Sequence, residues 1–273
     1  MRLPHRDVSV IVPTRNEAKN LPYVAKRMPD GIAEIIVVDG GSTDGTLDVA
    51  RSLWPHARLI QQTRKGKGNA LACGFAAAKG EIIVMIDADG STDAAEIPMF
   101  VQELCDGADF AKGSRFTYRG GSSDITRLRR LGNLGLNGIV NHLYSARFTD
   151  LCYGYNAFWR HCLPIIDMPD PALTEAQWGD GFEVETLMNI RVARSGLKIA
   201  EVASYERDRI HGESNLNAVS DGIRVLRTIF DERVAVEKTA EPAPATPNRV
   251  GAMRVRLGRA IAGTDNLEVA GAA

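Results

Sequence analysis

Three things are scarce in this chain of 273 residues: cysteine, long apolar runs and an excess of charge of either sign. The four cysteines, Cys73, Cys105, Cys152 and Cys162, form no C-x-x-C pair, and no histidine cluster supplies a zinc spacing. They read as reduced thiols of a cytoplasmic protein, not as a disulfide framework. No uninterrupted apolar run approaches the roughly 20 residues of a spanning helix. Met1 to Asp7 is polar and leads straight into a strand-like segment, so no signal peptide is expected. With a formal net charge of −1, a global basic field for nucleic acid is absent. What is present is 44% hydrophobic residues, enough for a sizeable core in one large domain.

The first half alternates between two periods. Apolar or β-branched runs at Val8–Val12, Glu34–Val38, Arg58–Gln61, Ile82–Ile86 and Phe110–Lys112 predict strands. Between them, Leu21–Met28, Leu47–Leu53, Asn69–Lys79 and Glu96–Cys105 predict helices. Continuous apolar strands separated by helices imply a mostly parallel α/β sheet covered on both faces. Ligands of such sheets bind outside the carboxyl ends of the strands. In the second half, helices are predicted over Arg127–Tyr144, Phe182–Ser195 and Ala218–Phe230, with strands at Tyr155–Trp159 and Lys198–Val202. From Glu237 the periodicity lapses. Glu241 to Pro247 is a Pro/Ala linker by composition, and Arg249 to Gly263 carries four arginines and no acid. The division expected is a domain over residues 1–236, with halves at about 7–115 and 116–236, and a linker and basic tail over 237–273.

Polar clusters follow the strong strands at the edge where a ligand would bind. Asp87-Ala88-Asp89 places two carboxylates one residue apart at a strand end, where they can share a hard cation. Such a cation bridges diphosphate oxygens and stabilises a leaving nucleoside diphosphate. Alone the pattern is weak, and a solvated turn with Asp93 capping the next helix is the better reading of an isolated match. Two companion clusters reverse the odds: Pro13-Thr-Arg-Asn-Glu17 and Asp39-Gly-Gly-Ser-Thr-Asp44. In the second, Asp39 suits a base or ribose, while Ser42 to Asp44 suit helix capping. Arg64-Lys-Gly-Lys-Gly-Asn69 lacks P-loop spacing and reads as a flexible basic loop above a donor. Arg115 follows another strand, where a surface arginine and an anion contact are equally good readings. Arg209 and His211 lie in a charged, glycine-containing loop suited to phosphate.

In this order, with Gly113-Ser-Arg115, Asp150 through Phe158 and Arg209-Ile-His-Gly-Glu-Ser214, the segments resemble glycosyltransferase family 2. The nearest likeness is to dolichol- or polyprenyl-phosphate sugar synthases, over about residues 7 to 230. The resemblance implies a GT-A fold, Mg²⁺ or Mn²⁺, and inverting transfer from a UDP- or GDP-sugar. By position it implies that Pro13, Arg15, Glu17, Val37 and Asp39 hold the nucleoside. Asp87 and Asp89 would engage metal and diphosphate, with Ala88 lining the site, and Arg115 and Arg209 would steady phosphates. Two positions depart from the pattern. Arg15 stands where an aromatic residue is usual, and Asn215 where a lysine often follows Glu-Ser.

A lipid monophosphate acceptor is already anionic and needs positioning more than a base. A hydroxyl acceptor on a glycan, lipid or metabolite needs a carboxylate base, for which Asp180, Glu183 and Glu185 are the candidates. A non-catalytic nucleotide-sugar-binding protein is the third reading, opposed by the intact Asp87/Asp89 pair. The basic tail is expected either to be disordered or to dock weakly at an anionic membrane face.

Overall fold

The computed structural model describes residues 3–212 and 218–240. Ser214, Asn215, the Pro/Ala linker and the basic tail therefore lie outside the described residues. The first half builds β1 (Val8–Thr14), α1 (Leu21–Arg27), β2 (Glu34–Asp39), α2 (Thr46–Leu53), β3 (Arg58–Gln61), α3 (Lys67–Ala77), β4 (Ile82–Met85), α4 (Ile97–Cys105) and β5 (Phe110–Ser114). The second builds β6 (Gly121–Ser122), α5 (Arg127–Tyr144), β7 (Asn156–Trp159), α6 (Leu163–Ile166), α7 (Val184–Arg194), β8 (Ile199–Ala203), β9 (Tyr205–Glu206) and α8 (Ala218–Ala240). Every predicted helix and strand is present. The two-residue strands β6 and β9, which pair with each other, and the single turn α6 were not predicted.

The main sheet runs β3-β2-β1-β4-β7-β5-β8. All its neighbours are parallel except β7, which runs antiparallel between β4 and β5. Its strands are apolar on both faces because both are covered. On one face Val8, Val10, Val12, Ile82 and Val84 pack with Phe100 and Leu104 of α4. On the other, Ile11, Ile83 and Met85 pack with Leu71 and Phe75 of α3 and Met188 of α7. Val140, Ile190, Val225 and Ile229 form a third cluster where α5, α7 and α8 meet.

Two consequences matter for the site. The reversed β7 pairs Asn156 with Met85, so the segment just before it, residues 150–155, lies at the carboxyl ends of β4 and β5. Helix α7 is buried on nearly every side, and its buried residues include Glu185 and Asn189. The expected boundary at 236/237 falls inside α8, which continues to Ala240. Residues 232–240 contain no proline or glycine, and the first breaker is Pro242. Among the described residues, no helix is long and apolar enough to cross a membrane.

Candidate active site

A cleft of about 660 Å³ opens at the carboxyl edge of the sheet. Its floor is built from the loops after β1 and β4, and one wall from α5 and α8. Pro13, Arg15, Glu17, Asp87, Ala88, Asp89, Arg115, Glu185 and Arg209 all line it. The structure thus brings most of the sequence-derived site residues to one place.

Each carboxylate after β4 carries its own cation. Lys67, at the start of α3, sets its Nζ 2.5 Å from Asp87 Oδ1 and 2.8 Å from Glu185 Oε1. Burial alone lowers a lysine pKa, but the two carboxylates more than offset it and hold Lys67 above its ordinary value. Gly154, in the segment before β7, permits this contact. A Cβ there would stand 2.8 Å from Lys67 Nζ and 2.9 Å from Glu185 Oε1. On the other carboxylate, Arg209 donates to Asp89 Oδ2 at 3.1 Å and also pairs with Glu17. Burial pushes the Glu17 carboxyl above its ordinary range, although Asn20 and Arg209 both pull it down. A backbone bond from Arg207 N to Ser91 O (2.8 Å) and a side-chain bond from Asn20 Nδ2 to His211 O (3.1 Å) latch the 207–212 loop across the Asp89 turn.

Several expectations change. The 64–69 segment is a packed corner, not a flexible loop. Arg64 is buried and makes two 2.8 Å bonds to Asp180. Gly68 N donates to Asp180 O at 2.8 Å. A Cβ on Gly68 would lie 1.8 Å from Gly179 O, so only glycine fits. Asp180 is thereby committed to this corner, away from the cleft lining. Glu183 is likewise occupied: its Oε1 accepts from Gly179 N at 2.9 Å and Gly181 N at 3.2 Å, and its Oε2 pairs with Arg224. Of the three candidate bases, Glu185 alone lines the cleft.

Arg115 is not a surface arginine. It is buried, with two bonds to Asp150 at 2.7 and 2.9 Å and two to Glu206 at 3.1 and 2.9 Å. These four bonds leave little of its donor capacity for an anion, so its geometry is that of a clamp joining β5, the 150–154 segment and β9. Val37 is a core residue, fully buried, and does not line the cleft. Asp39 is buried as well. Its Oδ2 accepts from Gly41 N at 3.0 Å and Ser42 N at 2.9 Å, which shapes the glycine turn. The structural reading of Ser42 to Asp44 agrees with the contacts. Asn16, at φ 58°, accepts from Thr43 N, and Asp44 Oδ1 accepts from Thr46 N at 3.0 Å.

Lys67 is the residue sequence reasoning missed. Its signal was its place between Gly66 and Gly68, which lets the chain turn tightly against residues 179–181 and aims Lys67 at the cleft.

A model of glycosyl transferase family 2 matches residues 9–163. The chain is 34% identical over 242 residues to glycosyltransferase AglJ of Haloferax volcanii, covering 86% of this chain and 73% of that protein. A dolichyl-phosphate hexose transferase of the same organism is 30% identical over 226 residues, covering 82% and 92% respectively. Among solved structures, glucosyl-3-phosphoglycerate synthase from Mycobacterium tuberculosis, in complex with Mn²⁺, UDP and glucosyl-3-phosphoglycerate, is similar at a TM-score of 0.62. That similarity has 26% identity and covers 84% of this chain and 81% of the other. The same synthase with Mg²⁺ and UDP gives 0.64 at 26% identity, over 84% and 80%. The architecture is that of the GT-A glycosyltransferases. Because the family match spans the strands and loops that carry the paired carboxylates, the chain belongs to glycosyl transferase family 2.

Proposed function

We propose that the chain is an inverting transferase that moves a sugar from a UDP- or GDP-sugar to the phosphate of a polyprenyl or dolichyl phosphate. The observation that carries this reading is the cleft's charge arrangement: Asp87 and Asp89 at a strand end, each facing a cation, beside a wall with apolar residues from two helices. The similarity to a dolichyl-phosphate hexose transferase supports the acceptor class. In this reading Pro13, Arg15 and Glu17 hold the nucleoside.

The donor set suits a divalent ion. Asp87 and Asp89 are hard oxygen ligands whose side chains are 31% and 20% exposed. Among the described residues no cluster of three or more His, Cys, Asp or Glu could hold a metal. A two-carboxylate site completed by diphosphate oxygens and water is the habit of Mg²⁺. When bound, Mg²⁺ or Mn²⁺ supplies Lewis-acid stabilisation of the departing diphosphate. Lys67 and Arg209 turn their positive charge toward the diphosphate and offset the charge that develops there. Glu17 holds Arg209, and Arg115, through Asp150 and Glu206, keeps the cleft wall in register. The acceptor phosphate attacks the anomeric carbon from the face opposite the leaving group, and its own charge makes a protein base unnecessary.

A hydroxyl acceptor is the second reading, favoured by the presence of Glu185 in the cleft. Against it, Lys67 already occupies Glu185 Oε1. The paired carboxylates oppose a non-catalytic role. We place the reaction at the cytoplasmic face of a membrane, in keeping with a lipid acceptor. The test is a panel of UDP- and GDP-sugars incubated with Mg²⁺ or Mn²⁺ and a short polyprenyl phosphate, read by mass spectrometry. A glycosyl-phosphoprenol product is expected; turnover only with hydroxyl acceptors overturns the acceptor assignment.

A further inference from the structure

We infer that the outer faces of α5 and α8 form a docking surface for an anionic lipid bilayer. The inference deepens the lipid-phosphate reading and rests on it for its purpose, while its evidence is separate.

On α5, Leu128, Leu131 and Leu134 are 66%, 68% and 67% exposed. They lie on the side away from Asn133, Asn137 and Val140, which are buried. On α8, Ile223, Leu226, Phe230 and Val234 recur at spacings of three and four and are also exposed. They point away from Val225, Thr228 and Ile229, the face that packs inward. The two helices pack on each other. A protein surface seldom leaves so many large apolar side chains uncovered without a partner.

Charge chooses the partner. Arg127, Arg129 and Arg130 fall in the first turn of α5, and none of its 18 residues is acidic. A helix start already carries partial positive charge, so three arginines there are unfavourable unless anions lie close by. Arg129 finds one at 3.0 Å in Asp124. Arg130 lies over the Phe116 ring at 5.6 Å instead, and Arg127 is exposed. Apolar side chains flanked by arginines at a helix start match phosphate headgroups over acyl chains.

Position favours a bilayer over a second copy of the chain. The same helices wall the cleft: Leu128, Gly132 and Leu136 from α5, and Asp221, Gly222 and Val225 from α8. A protein seated on the outer face would crowd the rim by which an acceptor enters. A bilayer seated there delivers the acceptor phosphate to that rim, with its chain still in lipid.

The test uses the full chain, co-sedimented with vesicles of phosphatidylglycerol and phosphatidylcholine or of phosphatidylcholine alone. Wild-type protein should bind the anionic vesicles, less so as salt rises. The double variant Leu131→Asp/Leu134→Asp and, separately, Phe230→Asp should each lower binding by roughly tenfold or more. None of these residues lines the cleft, so binding of UDP or GDP and the unfolding midpoint should hold. Undiminished vesicle binding by both variants overturns the inference, as does equal binding to neutral vesicles. A wild-type dimer that the variants dissociate, without vesicle binding, reassigns the face to self-association and overturns it too. Turnover of a water-soluble short-chain phosphate without vesicles keeps the two readings apart. If that turnover is absent while vesicle binding is present and sensitive to the variants, the acceptor assignment fails and the docking surface stands.

Discussion

Glu185→Gln separates the two acceptor chemistries. The side chain is nearly buried and its Oε1 lies 2.8 Å from Lys67 Nζ. Glutamine keeps the shape and keeps an oxygen that can accept from Lys67. What it removes is the acceptor's charge, so the ion pair becomes a bond in which Lys67 alone is charged, at the low rather than the high end of the roughly 1.5–3 kcal/mol of a charge-assisted bond. The difference is about 1 kcal/mol, or about fivefold in rate if all of it is felt in the transition state. Loss of a general base costs far more, about 10²- to 10⁴-fold. The two expectations do not overlap. The assay is single-turnover transfer to a short polyprenyl phosphate at saturating metal, with donor affinity and unfolding midpoint measured on the same preparation. A fall of less than about tenfold is expected from the weakened Lys67 pair. A fall beyond about 100-fold, with affinity and midpoint unchanged, would refute the phosphate-acceptor mechanism and make Glu185 the base of a hydroxyl-directed enzyme.

Asp89→Ala should nearly abolish transfer while circular dichroism stays native, because it removes a metal contact worth several kcal/mol and frees Arg209; near-normal turnover with excess metal sinks that role. Arg209→Ala should weaken activity more than Arg207→Ala, since Arg209 bridges Glu17 and Asp89 whereas Arg207 only approaches Asp93 at 3.7 Å. Equal small losses would remove the loop from the mechanism. Gly68→Ala places a methyl 1.8 Å from Gly179 O and should cost about 3 kcal/mol, lowering the unfolding midpoint by about 6–12 °C; an unchanged midpoint contradicts the packed corner. Glu17 has its carboxyl pKa raised in the fold, so just above pH 4.5 the native state binds more protons than the unfolded chain and this group's contribution falls as pH rises. Glu17→Gln should therefore gain stability relative to wild type as pH climbs through that window, and parallel stability curves would contradict it.

The fold of the first half was legible because a strand covered on both faces is a continuous apolar run that needs no partner to be recognised. Val8–Val12 and Ile82–Ile86 read as strands for the same reason that the strands observed there are buried. The direction of β7 was not legible, since its apolar run is the same whether its neighbours are parallel or antiparallel. A two-residue strand such as Gly121–Ser122 is shorter than any period. Among the site residues, Asp87 and Asp89 declared themselves by lying one residue apart after a strand. Arg64 misled because a charge-rich, glycine-containing stretch reads as exposed; the acid that buries it, Asp180, lies 116 positions away. Val37 was carried over by position, and position cannot tell a residue facing the ligand from a core residue beside it.

The arginines show how the fold divides one chemical type between two tasks. Arg115 faces two carboxylates through four bonds, Asp150 is fully buried, and the Glu206 side chain is only 10% exposed. The net charge of that trio is −1, so adding a phosphate there would bring two like-charged groups together. Arg209 also touches two carboxylates, but through one nitrogen each, with its side chain 18% exposed and its loop lying over the cleft. A divalent ion bound to Asp89 would compete with Arg209 for that carboxylate and turn the guanidinium toward whatever anion lies in the cleft. Lys67 stands in the same relation to Asp87. In the proposed reaction, cations that hold the carboxylates in the free protein would hold the diphosphate in the loaded one. Arg115, with its four bonds made, holds the wall against which both exchanges would take place.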